Sequence, residues 1–240
     1  MTEPRRRFCC DADLAVLGYD GLNAGVDLER WRAGQLNPVT RELIDVLRAR
    51  GVQGARVLDI GAGVGAVHVA MLEAGAATAV DVDASREYLA FAQAEAERRG
   101  LSGRVTYWYG DVVELDPELP PADIVTLDSA ICCYPYLEPM LAAATRSRPR
   151  LVGITYPRDV WWMRTFMRLY NLWQVMRRRP ARYFIHRQRH LERWMAGAGY
   201  RSAHEGGIRP WRVLLYDHEA GVDAASPDGP TNCWNCEGKH

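Results

Sequence analysis

Short apolar runs alternate with longer stretches of helical periodicity through the middle of the chain. Five runs of four to six mainly apolar residues predict buried strands, at residues 57–60, 76–80, 105–109, 123–128 and 151–156. After each of the first four runs, apolar residues recur at helical spacing. Because strand, helix and next strand then form parallel crossovers, the pattern predicts a doubly wound, Rossmann-like α/β sheet.

Alternation of polar and apolar residues replaces this pattern near the end of the chain. Residues 200–205 and 211–216 predict two strands of an antiparallel hairpin. We therefore assign one α/β domain to residues 37–217 of the 240-residue chain. Residues 1–36 are expected to form a flap or a packed extension, and the polar tail 218–240 is expected to be disordered.

The first predicted strand ends in a glycine-rich turn that follows Asp59 directly, Ile60-Gly61-Ala62-Gly63-Val64-Gly65. Where side chains are missing, backbone N–H groups approach a ligand closely, so the turn predicts a nucleotide-type binding site. The spacing of Gly61, Gly63 and Ala66 also fits a dinucleotide-binding motif. The glycines alone leave the cofactor open.

Asp59 favours one cofactor over the other. A nicotinamide dinucleotide would bring its pyrophosphate to this turn, where a carboxylate repels it. S-adenosylmethionine carries no phosphate but has an ammonium and a sulfonium, which a carboxylate attracts. The sequence therefore predicts S-adenosylmethionine as the cofactor, and it leaves open that Asp59 only caps the turn.

Further acidic residues follow the other predicted strands. Asp81, with Val82 beside it, is placed at the end of the second strand, where a carboxylate accepts hydrogen bonds from ribose hydroxyls. Asp83 is expected to cap the next helix. Asp111 follows the third strand and is expected to bind the adenine amino group. The predicted cofactor-binding residues are Asp59, Gly61, Ala62, Gly63, Asp81, Val82, Asp111, Val112 and Asp128.

Charge and composition narrow the choice of partners. The 30 basic and 30 acidic residues balance, so no basic field predicts binding to nucleic acid. No apolar run reaches the ~20 residues that a membrane-spanning helix needs. No apolar segment follows Arg5-Arg6-Arg7, so these residues are not expected to begin an export signal. We expect a cytoplasmic protein that acts on a small molecule.

The six cysteines come in pairs, Cys9/Cys10, Cys132/Cys133 and Cys233/Cys236. A reducing cytoplasm disfavours disulfides, and a single Cys-x-x-Cys pair is only half of a zinc site. We therefore predict no metal centre. Cys132 and Cys133 follow the fourth strand, where they are either small buried apolar residues or part of the site.

Together these motifs resemble those of the class I S-adenosylmethionine-dependent methyltransferases. Residues 57–63 match the first motif, Asp81 lies where the ribose-binding acid belongs, and Gly110-Asp111 where the adenine-binding acid belongs. The resemblance covers roughly residues 37–217. It implies a seven-stranded sheet with the last strand antiparallel, and an enzyme that transfers a methyl group.

The second half is similar to a narrower group, the magnesium-protoporphyrin O-methyltransferases and uncharacterised bacterial relatives. The similar pieces are Tyr134-Pro135, residues 151–158 with Trp161-Trp162, and residues 182–186. This resemblance implies O-methylation of a hydrophobic or porphyrin-like carboxylate. The chain departs from the pigment enzymes at Cys133, where they carry a histidine.

A carboxylate acceptor needs no general base, because a carboxyl pKa of about 4–5 leaves it ionised at neutral pH. It does need a cation or hydrogen-bond donors, and we expect Arg158 and His186 in that role, unless they are a surface arginine and a structural histidine. The predicted catalytic residues are Tyr134, Cys133 and His186. The predicted substrate-binding residues are Tyr19, Cys132, Arg158 and Trp162.

Residues 157–188 are expected to form an amphipathic insertion near the site. Apolar residues between Trp161 and Met176 recur at helical spacing, with arginines around them. Such a helix fits three arrangements: contact with a membrane surface through residues 161–179, a lid over a flat aromatic substrate, or packing on the sheet.

Other functions stay open. If Cys9/Cys10 fold onto Cys132/Cys133, their thiolates could hold a soft metal or metalloid as the methyl acceptor. The chain could instead be a non-catalytic cofactor-binding scaffold, with Cys233/Cys236 sharing a metal with another chain. A dehydrogenase is the remaining alternative.

Overall fold

The fold is a seven-stranded sheet with helices on both faces, seen in a computed structural model that describes residues 24–178 and 182–219. The strand order is β3-β2-β1-β4-β5-β7-β6. The strands are β1 Arg56–Ile60, β2 Thr78–Asp83, β3 Val105–Tyr109, β4 Ile124–Asp128, β5 Leu151–Pro157, β6 Tyr200–Gly206 and β7 Trp211–His218. The predicted fold class is therefore confirmed.

Eight α-helices are present in the described part of the chain. They are α1 Ala24–Arg32, α2 Pro38–Ala49, α3 Ala66–Glu73, α4 Arg86–Arg98, α5 Val112–Leu115, α6 Leu137–Thr145, α7 Trp161–Met176 and α8 Gln188–Gly197. Two buried clusters of apolar side chains, one on each face of the sheet, make the core. None of the described helices is long and apolar enough to cross a membrane.

The direction of the strands places the site. β1 to β5 are parallel, and β1 pairs with β2 on one side and with β4 on the other. The strand order therefore reverses at β1, and ligands bind beyond the carboxyl ends of the strands at such a reversal. β7 runs antiparallel between β5 and β6, as the implied last strand and the predicted hairpin require.

β2 differs from the prediction in its length. The apolar run ends at Val80, but the strand continues to Asp83 because β1 pairs with it as far as Val82 and β3 as far as Asp83. Asp81 lies opposite Asp59 of β1, and Asp83 lies opposite Tyr109 of β3. Asp81 is consequently a mid-strand residue, not the strand end.

The segment before α2 is partly described. α1 packs beside α4, where the Tyr88 hydroxyl donates to Asp27 at 3.0 Å and Arg32 pairs with Glu95 at 2.8 Å. Asn37 is the N-cap of α2, since its side chain accepts a hydrogen bond from the Val39 N–H at 3.2 Å. Tyr19, the cysteines at 9, 10, 233 and 236, and all but two residues of the tail 218–240 lie outside the described residues.

Candidate active site

A cavity of about 570 Å³ opens at the carboxyl ends of the first four strands. Each strand contributes the residues at its end and in the turn that follows. These include Gly61 and Gly63 after β1, Val82 and Asp83 of β2, Asp111 and Val112 after β3, and Asp128 of β4. Of the predicted cofactor-binding residues, all but Asp59 and Asp81 line the cavity.

The glycine turn presents backbone to the cavity because its conformation excludes side chains. Gly61 has a φ of +66°, and a Cβ there would lie 2.8 Å from the Cβ of Ala130. Gly65 has a φ of +82°, and its Cβ would lie 2.7 Å from the His68 ring. L-residues rarely adopt such φ values, so glycine is required at both positions. The turn is a cradle that fits the close approach of a nucleoside cofactor.

Asp59 lies behind this turn, not on the cavity wall. Its side chain is fully buried. One carboxylate oxygen accepts from the His68 backbone N–H at 3.2 Å and from His68 Nδ1 at 3.1 Å. The other accepts from Thr126 Oγ1 at 2.7 Å. Since Gly65 has no side chain to cap α3, Asp59 supplies that cap from the neighbouring strand.

Asp83 takes the position that we had assigned to Asp81. One of its oxygens accepts the Gly63 N–H at 3.1 Å, and the other accepts the Ser85 N–H at 2.8 Å. Ser85, not Asp83, is the N-cap of α4 and accepts from the Tyr88 N–H. Asp83 therefore supports the glycine turn and lines the cavity at the strand end, the edge of the sheet where ligands bind in open α/β folds.

Asp81 lies two residues before Asp83 on β2, inside the protein. Its side chain is fully buried, and neither carboxylate oxygen has a hydrogen-bond partner among the described residues. Burial raises the pKa of Asp81 well above its usual range, and the nearby carboxylates Asp59 and Asp83 raise it further. Asp81 is thus a buried acid that favours its neutral form.

Replacing Asp81 by asparagine is expected to stabilise the protein at alkaline pH. A carboxyl group whose pKa is raised by folding contributes stability that is full below its unfolded pKa and is lost as pH rises through its folded pKa. Asparagine stays neutral, so the variant escapes that loss. We expect a gain of about 1–2 kcal/mol at pH 8 that shrinks towards pH 5. Urea unfolding at several pH values measures it, and a variant less stable than the parent at pH 8 would contradict the assignment.

Asp111 lies on the cavity wall after β3 and is held by two groups. Its side chain caps α5 by accepting the Val113 N–H at 2.9 Å. The Tyr134 hydroxyl donates to the two carboxylate oxygens at 2.9 and 3.1 Å. Burial raises the pKa of both Asp111 and Tyr134. Tyr134 lines the cavity, and its hydroxyl donates to Asp111.

Asp128 closes the cavity at the end of β4. It accepts hydrogen bonds from Thr40 Oγ1 at 2.6 Å and from Thr155 Oγ1. Burial raises the pKa of Asp128, and these hydrogen bonds oppose that rise. Sequence reasoning missed Thr40. Its position on the buried face of α2, beside Val39 and Leu43, indicates a polar side chain that is hydrogen-bonded inside the protein.

Most of the predicted acceptor residues lie away from the cavity. Arg158, His186, Cys132 and Trp162 do not line it, whereas Cys133 and Tyr134 do. His186 Nε2 lies 2.8 Å from the Tyr134 carbonyl oxygen and 3.0 Å from that of Ile131, so the ring donates to the loop after β4. Burial lowers the pKa of His186. These contacts describe a structural histidine.

The other three residues are placed as follows. Arg158 follows β5, and its backbone N–H donates to the Pro210 carbonyl at 2.7 Å. Cys132 is buried, and its Sγ lies 3.9 Å from that of Cys133. Trp162 lies on α7 with 47% of its surface exposed. No group of three or more metal-ligating side chains was found among the residues that the structure describes.

Sequence reasoning missed the residues that α1 brings to the cavity. Asp27, Arg30 and Trp31 line it, together with Tyr88 of α4 and Tyr183 from the segment before α8. Burial raises the pKa of Tyr183 to about 12, so its hydroxyl stays protonated. No motif marks this set, because the residues meet only when α1 docks on α4.

Comparison with known proteins agrees with this geometry. Residues 57–148 match a family model described as a methyltransferase domain. No curated protein matches the chain in sequence.

Solved structures of methyltransferases are similar in fold. Magnesium protoporphyrin IX methyltransferase from Synechocystis PCC 6803, with bound S-adenosylhomocysteine, is 18% identical, with a TM-score of 0.62 over 82% of this chain and 96% of that one. An O-methyltransferase family protein from Burkholderia thailandensis is 16% identical, with a TM-score of 0.64 over 85% of this chain and 62% of that one.

An O-methyltransferase family 2 protein from Planctomyces limnophilus, in complex with apigenin, is 21% identical, with a TM-score of 0.61 over 86% of this chain and 65% of that one.

The predictions of a methyl-transferring enzyme and of its cofactor are confirmed by the family match together with these structures. Residues 57–148 thus match the methyltransferase-domain family, and the chain has the class I fold of S-adenosylmethionine-dependent methyltransferases.

Proposed function

We propose that the enzyme methylates a carboxylate oxygen of a hydrophobic or porphyrin-like acid. The observation that carries this proposal is the chemistry of the cavity wall. Aromatic rings of Trp31, Tyr134 and Tyr183 and a guanidinium, Arg30, line it. Neither histidine nor lysine lines it within the described part of the chain.

The acidic residues on the wall are already engaged. Asp27 accepts from Tyr88, Asp83 from Gly63, Asp111 from Tyr134, and Asp128 from Thr40. None of these carboxylates is poised as an unengaged general base. An acceptor that must lose a proton before methylation would therefore find no unengaged carboxylate to take it. A carboxylic acid needs none, because it is already ionised at neutral pH.

The cofactor and the acceptor divide the cavity. The backbone of the glycine turn would hold the amino-acid part of the cofactor. Asp83 would hold the ribose, and Asp111 with Val112 would hold the adenine. Bound S-adenosylmethionine supplies a methyl group to an in-line displacement, in which positioning and desolvation do most of the catalysis. The chain contributes by aligning the acceptor oxygen and excluding water.

Arg30 replaces Arg158 and His186 as the proposed partner of the acceptor carboxylate. It lines the cavity, and its side chain forms no ion pair with the described residues. A guanidinium matches the planar, two-oxygen geometry of a carboxylate. The pigment enzymes' histidine has no counterpart here, since Cys133 holds that position and lines the cavity.

An acceptor screen that follows release of S-adenosylhomocysteine tests the proposal. The screen includes magnesium-protoporphyrin, aromatic and long-chain carboxylic acids, phenols and As(III). Turnover with a carboxylic acid, giving an alkali-labile methyl ester, is the expected result. With that acceptor, Arg30→Gln should raise KM about tenfold or more with S-adenosylmethionine affinity unchanged. Arg158→Gln is the matched control, and an equal effect there would contradict the role of Arg30.

Turnover of phenols with no turnover of any carboxylic acid would overturn the carboxylate proposal. A second candidate acceptor, a thiolate-bound soft metal or metalloid, is favoured by the 3.9 Å separation of Cys132 Sγ and Cys133 Sγ at the cavity edge. The predicted partners Cys9 and Cys10 lie outside the described residues. Methylation of As(III) that Cys133→Ser abolishes would select this acceptor.

A further inference from the structure

Among the described residues, exposed large apolar side chains are most concentrated on the outward face of α7. Of twelve exposed large apolar residues, eight lie on this one helix. Only Met163 and Gln174 of α7 are buried. The eight are Trp161, Trp162, Phe166, Leu169, Leu172, Trp173, Val175 and Met176, with exposures from 37% to 77%. A helix that only packed on the sheet would bury this face.

The exposed residues form one stripe along the helix. At 3.6 residues per turn, seven of the eight fall within an arc of roughly 140° opposite the buried Met163 and Gln174. Arg164 and Arg168 border one side of the arc, and Arg177 borders the other. A stripe of aromatic and aliphatic side chains with arginines on both sides is typical of a helix that lies in a membrane interface.

The charge around α7 points to an anionic partner. Residues 159–192 contain eight arginines against two acidic residues, Asp159, which pairs with Arg164, and Glu192, in a chain whose formal net charge is zero. The positive charge is therefore a local feature of this segment. A second copy of the chain would bring the same arginines to a two-fold contact, where they would repel one another. An anionic lipid surface complements both the charge and the apolar arc.

We infer that α7 binds flat on an anionic lipid surface, with its apolar arc in the interface. The 16-residue helix is about 24 Å long, which is shorter than the ~30 Å hydrocarbon core, so it lies on the bilayer and does not cross it. This contact goes beyond methyl transfer and does not depend on which acceptor the enzyme uses.

α7 also connects the lipid-facing surface to the cavity. Asn171 Nδ2 donates to the Tyr183 carbonyl at 2.7 Å, and the Tyr183 N–H donates to Asn171 Oδ1 at 3.0 Å. Tyr183 lines the cavity. The next residue, Phe184, donates its N–H to the Cys132 carbonyl at 2.7 Å. A hydrophobic acceptor dissolved in the bilayer would thus be delivered beside the cavity.

Co-sedimentation with vesicles tests the inference without any acceptor. We expect the full chain to bind vesicles of phosphatidylcholine mixed with phosphatidylglycerol, to bind pure phosphatidylcholine weakly, and to be released by salt. Leu169→Glu should lower the partition coefficient more than tenfold, because it puts a charge in the middle of the arc. Arg168→Gln should lower it about fivefold.

Ile208→Glu is the matched control, because it makes the same kind of change at an exposed apolar residue outside α7. Unchanged S-adenosylmethionine binding and circular dichroism establish that each variant is folded. The inference fails if the parent chain ignores anionic vesicles, or if Ile208→Glu reduces binding as much as Leu169→Glu. It also fails if sedimentation velocity shows a dimer that Leu169→Glu dissociates, since α7 would then be an interface between copies.

Discussion

Replacing Asp83 by alanine is expected to weaken S-adenosylmethionine binding about 100-fold. The carboxylate lies on the cavity wall at the end of β2, and it also accepts the N–H of Gly63 in the glycine turn at 3.1 Å. Alanine removes the charged acceptor that we propose for the ribose hydroxyls, and it releases the turn. Hydrogen bonds to charged groups are worth about 1.5–3 kcal/mol each, so the loss of one such bond to the cofactor accounts for the expected change of about 2.7 kcal/mol. Isothermal titration calorimetry measures it.

Asp81→Asn is the control that separates the two acids of β2. Asp81 does not line the cavity, so we expect its substitution to change cofactor affinity by less than about threefold. Asp83→Asn, which keeps one acceptor oxygen, should fall between the parent and Asp83→Ala. If Asp81→Asn lost as much affinity as Asp83→Ala in a folded protein, the ribose role would return to Asp81, as the sequence predicted.

Replacing Asp59 by alanine is expected to destabilise the fold by about 3–4 kcal/mol. The carboxylate accepts three hydrogen bonds, two from His68 and one from Thr126, and all of these groups are buried. Alanine leaves the donors without partners, at about 1–3 kcal/mol for each buried donor. It also removes the cap of α3, the helix that begins at the glycine turn. Urea unfolding followed by circular dichroism gives the change in the free energy of unfolding.

Asp59→Asn is the matched variant, since its carbonyl oxygen keeps one of the accepted hydrogen bonds, and it should cost less than alanine. The test also decides what Asp59 does for the cofactor. The sequence assigned it an electrostatic attraction to the cationic donor, whereas the contacts assign it to the turn. A stable Asp59→Ala protein that binds S-adenosylmethionine at least tenfold more weakly would support the electrostatic role instead.

The local pattern of the chain was enough to predict the framework. Buried strands, the helices between them and the glycine turn each depend on residues that are close in sequence. The strand from Val57 to Ile60 and the turn at Gly61 and Gly63 are where the periodicity put them. Because the backbone of this turn can be built only with glycine, the sequence also predicted the kind of ligand.

The choice between Asp81 and Asp83 needed the tertiary structure. The two residues are two positions apart and point to the same face of the sheet, so no local pattern separates them. Pairing of Asp83 with Tyr109 of β3 extends β2 to its true end. That extension encloses Asp81 and carries Asp83 to the edge where ligands bind.

The acceptor side was decided almost wholly by contacts between distant segments. Arg158 and His186 were chosen for their chemistry and their place after β5, but hydrogen bonds to Pro210, Tyr134 and Ile131 hold these residues outside the cavity. Arg30 reaches the cavity because α1 docks on α4 through the Asp27–Tyr88 hydrogen bond and the Arg32–Glu95 ion pair. The sequence by itself determined the fold and the glycine turn, since these follow from local periodicity and from glycine's conformational freedom, and it indicated the methyl donor through the resemblance of its motifs to those of the methyltransferases. Only the tertiary structure decided which charges face the acceptor and which aromatic face of α7 is left exposed, because burial and long-range pairing act between residues far apart in the chain.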